Sequence, residues 1–398
     1  MANRVPVTIL TGFLGSGKTT LLNHLLTENH GKKFAIIENE FGEVGVDDAL
    51  LTRKGSKFDA EEEIVEMNNG CICCTVRGDL IRIIQQILKR STGKRKLDGI
   101  IIETTGLADP APVAQTFFVD DTIAKKCKLD GIITVVDAKH ILQHLLEVKP
   151  EGVENESVEQ VAFADRILLN KTDLVASEDL DAIKKQIRSI NASAQIVECQ
   201  QCRVDPSLLL NIESFDLDKI LVKEPDFLEN TDHIHDTSVM SIGFQSTDVI
   251  NIRLLQDWIQ EMLMTKGNDL LRYKGVINVV GMDNKFVFQG VHMLFDGGFV
   301  ETKWERDEPR ETRFVFIGKN LDREQLTKDF LACKALPLRF KVGDRVLARV
   351  ETGFEPGKIV KVWDQGNPYR IRLEKTRDDV WGSLDDDSLV RSASPLTA

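Results

Sequence analysis

The sequence predicts an α/β protein: a first unit on a mostly parallel sheet, a smaller α+β unit, and a small antiparallel barrel at the end. Three observations predict it. Short Ile/Val-rich runs alternate with longer amphipathic segments over the first half, as buried parallel strands alternate with helices. A glycine-rich loop at residues 12–19 joins the first of those runs to the first helical pattern. Residues 339–391 carry short alternating runs broken by glycine-containing turns, a barrel pattern. The 398 residues fit two or three domains at about 100–200 residues each. The boundaries are drawn at 1–225, 226–335 and 338–392.

In chain order, strands are expected over residues 5–10, 34–37, 99–102, 131–136 and 166–169. A helix over 19–26 follows the glycine loop. Leu80, Ile83, Ile84, Ile87 and Leu88 fall on one face of a second helix. A helix over 179–190 and a strand over 195–197 close the first unit. Residues 203–236 are irregular and mostly polar and read as a linker. The second unit has expected strands over 238–244, 276–280, 286–289 and 313–317, with helices over 252–264 and 322–332. The third starts near Arg339, with strands over 345–350, 358–363 and 369–373.

Composition excludes several classes. With 63 Asp+Glu against 51 Lys+Arg, the net charge is −12, which opposes general nucleic-acid binding. No run of about 18 apolar residues could cross a membrane as a helix. The N-terminus runs directly into the first strand, so no leader peptide is expected and the assignment is cytoplasmic. Seven cysteines, three of them crowded at Cys71, Cys73 and Cys74, point in a cytosolic chain to metal or redox chemistry rather than a disulfide framework.

The strongest motif is Gly12-Phe13-Leu14-Gly15-Ser16-Gly17-Lys18-Thr19, which fits G-x-x-x-x-G-K-[ST] between a strand and a helix. Gly12, Gly15 and Gly17 let backbone N–H groups, with that of Ser16, wrap phosphates at a helix N-terminus. Lys18 is placed on the β- and γ-phosphates and Thr19 on Mg²⁺, with Thr20 beside them. Asn170-Lys171-Thr172-Asp173 after a strand fits the N-K-x-D reader of guanine. The Asp173 carboxylate can accept from N1–H and N2–H₂, Asn170 can bond the other side of the base, and the Lys171 stem can cover the ring. The alternative for Asp173 is a helix cap. A third strand end, Glu103-Thr104-Thr105-Gly106-Leu107-Ala108-Asp109-Pro110, supplies Glu103 for Mg²⁺ or water and the Gly106 amide for the γ-phosphate.

Thiolates at Cys71, Cys73 and Cys74 favour Zn²⁺ and Cu(I). Three leave a fourth tetrahedral position, which Glu38, Glu40 or Glu43 from the acidic stretch 38–43 could fill. The competing reading is a buried, inert cluster. Cys199 and Cys202 have ligand spacing without a second pair, and are a metal or redox pair or simple packing. Cys127 and Cys333 are assigned to packing.

This motif set resembles the CobW family of metal-linked phosphate-loop GTPases. It is carried by residues 12–19, 37–47, 68–74, 103–110 and 170–173, and in the second unit by 272–275, 289–292 and 314–321. The resemblance spans about residues 5–333. It implies GTP hydrolysis, slow and metal-stimulated, zinc at the Cys-x-Cys-Cys loop, and delivery to a client metalloprotein. The N-terminal docking motif of some eukaryotic relatives is not found ahead of the first strand. Of the long His-rich stretches of many bacterial members, only His233 and His235 have counterparts here.

Residues 339–391 lie outside the core family and resemble an SH3-like or Tudor-like barrel. Trp363, Tyr369 and Trp381 could line a peptide groove or fill the core. With 11 Lys/Arg against 10 Asp/Glu, this unit has no electrostatic footprint for nucleic acid. The resulting expectation is a zinc-binding GTPase that uses GTP/GDP, Mg²⁺ and Zn²⁺ to transfer zinc to a client. Lys18 stabilises phosphate charge, and Glu40 or Glu103 acts on the attacking water. A peptide partner for the barrel and a homodimer are admitted. The alternatives are a cobalt or nickel insertase, and a metal-responsive adaptor with a vestigial GTPase.

Overall fold

A computed structural model of the chain describes residues 4–27, 32–39, 63–67, 75–91, 97–150, 153–215 and 239–393. Seven parallel strands form the first sheet: β1 (Val5–Thr11), β2 (Phe34–Asn39), β3 (Glu63–Met67), β4 (Gly99–Glu103), β5 (Cys127–Asp137), β6 (Arg166–Asn170) and β7 (Gln195–Glu198). Their order is β3-β2-β4-β1-β5-β6-β7. The crossovers carry α1 (Lys18–Thr27), α2 (Thr75–Arg90), α3 (Ala111–Val119), α4 (Asp121–Lys126), α5 (Ile141–Leu145), α6 (Glu156–Phe163) and α7 (Ser177–Ile190). Successive strand residues serve opposite faces: Ile100 and Ile102 join one core with Ile9 and Ile37, while Ile101 joins another with Leu10, Leu21 and Ile36. A strand covered on both faces has no polar side, which is why these strands read as unbroken apolar runs. β1 sits between β4 and β5, where the strand order reverses, and its C-terminal end opens into residues 12–17. Ligands bind such α/β sheets at that kind of point.

The structure departs from the expected linker. Leu209, Leu210 and Ile212 are buried in the second core. The Asp130 carboxylate, fully buried on β5, accepts from the backbone N–H groups of Ile212 at 3.1 Å and Glu213 at 2.9 Å. Residues 203–215 therefore belong to the packed body of the first unit.

The second sheet is antiparallel, order β11-β10-β9-β12-β8. Its strands are β8 (Val239–Ser246), β9 (Leu270–Ile277), β10 (Asn284–Val291), β11 (Leu294–Lys303) and β12 (Thr312–Lys319), with α8 (Ile252–Lys266) and α9 (Arg323–Leu331) alongside. Aromatic pairs fill its core: Phe314 meets Phe330 at 4.7 Å and Phe316 at 5.0 Å. The expected strand over 276–280 is corrected to β9, which begins six residues earlier. Arg272 and Lys274 hid it, because both are charged yet buried.

The third sheet is antiparallel, order β16-β15-β14-β13-β17, in the SH3-like manner: β13 (Arg345–Val350), β14 (Gly353–Asp364), β15 (Asn367–Leu373), β16 (Asp379–Gly382) and β17 (Val390–Ser392). Tyr369, a groove candidate, is instead fully buried in its core. Its hydroxyl donates to Asp385 Oδ1 at 2.7 Å and accepts from the Phe340 N–H at 3.1 Å. Trp363 lies where this unit meets the second, with its carbonyl packed so close to Gly281 that no Cβ would fit there. Trp381 is the exposed one, under the Arg370 guanidinium at 4.5 Å.

Candidate functional site

The loop after β1 requires its glycines. Gly12, Gly15 and Gly17 have φ of 141°, 73° and 113°, conformations that side-chain-bearing residues rarely adopt. A Cβ on Gly12 would lie 2.2 Å from the Val135 carbonyl oxygen, and one on Gly17 would lie 2.6 Å from Asn170 Nδ2. The Lys18 ammonium donates to the Gly12 and Phe13 carbonyls at 2.7 and 3.4 Å, which holds it across the loop. The Ser16 hydroxyl is buried without a protein hydrogen-bond partner. A buried hydroxyl in a backbone cradle is what a phosphate-bearing ligand would satisfy, so these residues fit a nucleotide. Thr19 is half-buried and Thr20 exposed on the first turn of α1.

Asn170, at the end of β6, binds two loops at once. Its Nδ2 donates to the Ser16 carbonyl at 3.0 Å, and its Oδ1 accepts from the Cys202 N–H at 2.9 Å. Lys171 takes a left-handed conformation, φ 61°, and its ammonium reaches Gly15 O at 2.8 Å and Asp137 Oδ2 at 2.7 Å. Burial by itself would raise Asp137, but hydrogen bonds from Lys171 and His140 outweigh it and hold the carboxyl below the usual range. Asp173 is exposed within a 3-10 turn, Thr172–Leu174. It caps no helix, since α7 starts after Ala176.

Glu103 ends β4 in register with Leu10 of β1 and Glu38 of β2. Two carboxylate-bearing residues thus stand side by side at the sheet edge that carries the loop. Gly106 packs on the loop so closely that a Cβ would meet the Leu14 backbone nitrogen at 2.7 Å. Sequence reasoning missed Gln160 of α6. Its Nε2 donates to the Gly106 and Ala108 carbonyls at 3.1 and 3.2 Å, fixing the loop that starts at Glu103. Nothing in the local pattern marks one glutamine on a short helix, so only the fold reveals it.

The preceding residue on that helix faces the second sheet. Glu159 accepts from Lys319 of β12 at 3.0 Å, and Lys319 also meets Glu154. Burial, then the neighbouring Glu154, pushes Glu159 up. Below it, Asp165 forms a buried ion pair with Arg272 of β9. The first unit's helix α6 is thereby bonded both to the loop at Gly106 and to the second sheet.

Glu40, Glu43, Cys71, Cys73 and Cys74, with His233 and His235, lie outside the described residues. Their described flanks are β2 and β3, whose last residues Asn39 and Met67 are register partners, and α2, which begins at Thr75. Among the described residues no group of three His, Cys, Asp or Glu side chains could hold a metal ion, which leaves Cys199 and Cys202 short of ligands for a metal site. Cys127 and Cys333 are buried. No helix among the described residues is long and apolar enough to cross a membrane.

Residues 6–198 match the model of the CobW/HypB/UreG nucleotide-binding domain, and residues 239–334 match that of the cobalamin synthesis protein cobW C-terminal domain. The third sheet lies beyond both. Zinc chaperone YjiA of Escherichia coli is 36% identical over 330 residues, 82% of this chain and 98% of that one. Zinc-regulated GTPase metalloprotein activator 1 of Schizosaccharomyces pombe is 34% identical over 353 residues, 80% of this chain and 83% of that one. The solved structure of Zn(II)-bound YjiA GTPase from E. coli aligns with a TM-score of 0.66 at 31% identity, over 84% of this chain and 100% of that one. With both family models in order along the chain and both curated relatives covered over more than two thirds of their length, this protein belongs to the CobW family.

Proposed function

We propose that this protein is a zinc-binding GTPase that couples GTP binding and hydrolysis to transfer of zinc to a client metalloprotein. The observation that carries the reading is the Asn170 clamp: one buried amide binds the phosphate loop to the segment that follows β7, with Lys171 laid over Gly15. In this reading the loop amides and Lys18 hold the phosphates, and Asp173 with Asn170 selects guanine. Mg²⁺, when bound, would neutralise phosphate charge, with the Thr19 hydroxyl and the Glu103 carboxylate to hold it. Glu40 or Glu103 orients the attacking water. Cys71, Cys73 and Cys74 carry zinc, with Glu38 or Glu43 completing the site. The register of Glu38 beside Glu103 supports a link between zinc and nucleotide, and the zinc-linked relatives support zinc as the cargo.

Gly106 as the γ-phosphate sensor gives the second unit its part. Gln160 holds the sensor loop and Glu159 holds Lys319, so a shift at Gly106 reaches the second sheet through α6. The division at 1–225, 226–335 and 338–392 belongs to this proposal, and three separate sheets support it. A cytoplasmic location, a homodimer as an admitted assembly, and a peptide partner seated on the exposed Trp381 face of the barrel also belong to the proposal. The test loads the protein with zinc and follows release to a chromogenic chelator. Faster release with GTP than with GDP or ATP is expected. Equal release with all three contradicts the coupling and favours the adaptor reading.

A further inference from the structure

Cys199 and Cys202 sit directly behind the nucleotide site. Cys199 continues from β7, its N–H donating to Leu169 O at 2.9 Å. The turn that follows puts Gln201 and Cys202 at φ of 50° and 54°, with Gln200 and Gln201 exposed at its tip. That turn folds Cys202 back beneath the phosphate loop. Its Sγ donates to Gly17 O at 3.2 Å and its N–H to Asn170 Oδ1, while Cys199 Sγ donates to the same Asn170 oxygen at 3.5 Å. Both cysteines thus converge on the single side-chain oxygen of Asn170.

We infer that Cys199 and Cys202 form an oxidisable dithiol whose conversion to a disulfide by a hydroperoxide weakens guanine-nucleotide binding. The inference rests on the proposed nucleotide site. The Cys199 thiol is held below its ordinary value by the neighbouring Cys202 thiol, while Cys202 is pushed up by Cys199 and by burial. Cys199, which keeps some exposure where Cys202 has none, is the attacking sulfur. Its thiolate takes the distal oxygen of hydrogen peroxide, the O–O bond breaks, and the departing oxygen leaves as water. Cys202 then displaces the sulfenic oxygen as a second water. Two thiols and one peroxide become one disulfide and two waters. The Cys202 S–H donor is consumed, so Gly17 O keeps only its bond from the Leu21 N–H. The altered turn also disturbs the N–H that holds Asn170. Loss of about one buried hydrogen bond corresponds to an affinity drop of about tenfold.

The test uses the full chain, reduced or treated with hydrogen peroxide, with GDP affinity measured by calorimetry and thiols mapped after alkylation. Trypsin releases residues 189–203 as one peptide holding both cysteines. The expected result is that this peptide escapes alkylation and loses two hydrogens, that GDP binding weakens about tenfold, and that dithiothreitol restores both. A Cys199→Ser/Cys202→Ser variant should keep its affinity under peroxide. Should that variant fail to fold, the parallel loss and dithiothreitol recovery in the wild-type chain carry the decision. An alkylated 189–203 peptide after peroxide overturns the inference. So does a disulfide that leaves affinity unchanged, or an equal loss in the variant. Absence of GDP binding by the reduced chain overturns the nucleotide reading itself, a failure separate from the cysteine mapping.

Discussion

Asn170 Nδ2 donates to the carbonyl of Ser16 at 3.0 Å, so the end of β6 and the phosphate loop form one hydrogen-bonded unit. The same side chain is buried and holds Cys202 through its oxygen. Asn170→Ala leaves the Ser16 carbonyl and the Cys202 N–H without these partners, each costing about 1–3 kcal/mol. The expected outcome is a drop in GDP affinity of more than about tenfold, together with a lower melting temperature. Calorimetric titration and thermal denaturation of the variant check it, and unchanged affinity refutes the clamp.

Gln160 separates loop positioning from nucleotide binding. Gln160→Leu keeps the volume and removes both donors to Gly106 and Ala108. Since the loop it holds starts at Glu103, kcat for GTP should fall by about tenfold or more, in keeping with the cost of small misplacements. GDP affinity should change less than about twofold, because the two lost hydrogen bonds hold the loop after β4 and not the phosphate loop itself. Steady-state kinetics beside GDP titration distinguish this from general destabilisation, which would lower both.

The ion pair between Asp165 and Arg272 holds the second sheet to the first unit. Both side chains are buried, and the Arg272 guanidinium also lies 4.3 Å from the Phe215 ring centroid. Arg272→Ala strands the Asp165 carboxylate and should destabilise by about 3–5 kcal/mol. Adding Asp165→Asn should recover part of that loss, because no buried charge then remains. Denaturant midpoints of the two variants decide it; a single variant as stable as wild type refutes the argument.

Asp109 gives a pH dependence. Burial outweighs its hydrogen bond from the Ala111 N–H and pushes it up to about 6 from 3.8. An acid with a raised folded pKa adds stability that is full below about 4 and lost as pH rises through about 6. Asp109→Asn keeps an acceptor for Ala111 and cannot titrate. Relative to wild type, it should therefore gain stability as pH rises from about 4 to 7, by at most about 3 kcal/mol. Denaturation series across that range check it, and parallel curves for the two proteins contradict it.

The sequence exposes what is local. Gly12, Gly15 and Gly17 are legible because positive φ and close approach admit little else. The central strands are legible because burial on both faces leaves unbroken apolar runs. Long-range compensation is hidden: Arg272 and Lys274 disguise β9 as polar, although Asp165 neutralises one of them from 107 residues away. Residues 203–215 look like a linker because their anchor, Asp130, lies on another strand. Gln160 has no local signature, since its role exists only once α6 packs on the loop at Gly106.

The coupling of zinc to nucleotide turnover is the central claim, and GTP hydrolysis measured in four conditions tests it most directly. The conditions are wild type and a Cys71→Ser/Cys73→Ser/Cys74→Ser variant, each with and without zinc. The account predicts that zinc raises turnover in wild type and leaves the variant unchanged. Equal turnover in all four conditions would contradict it.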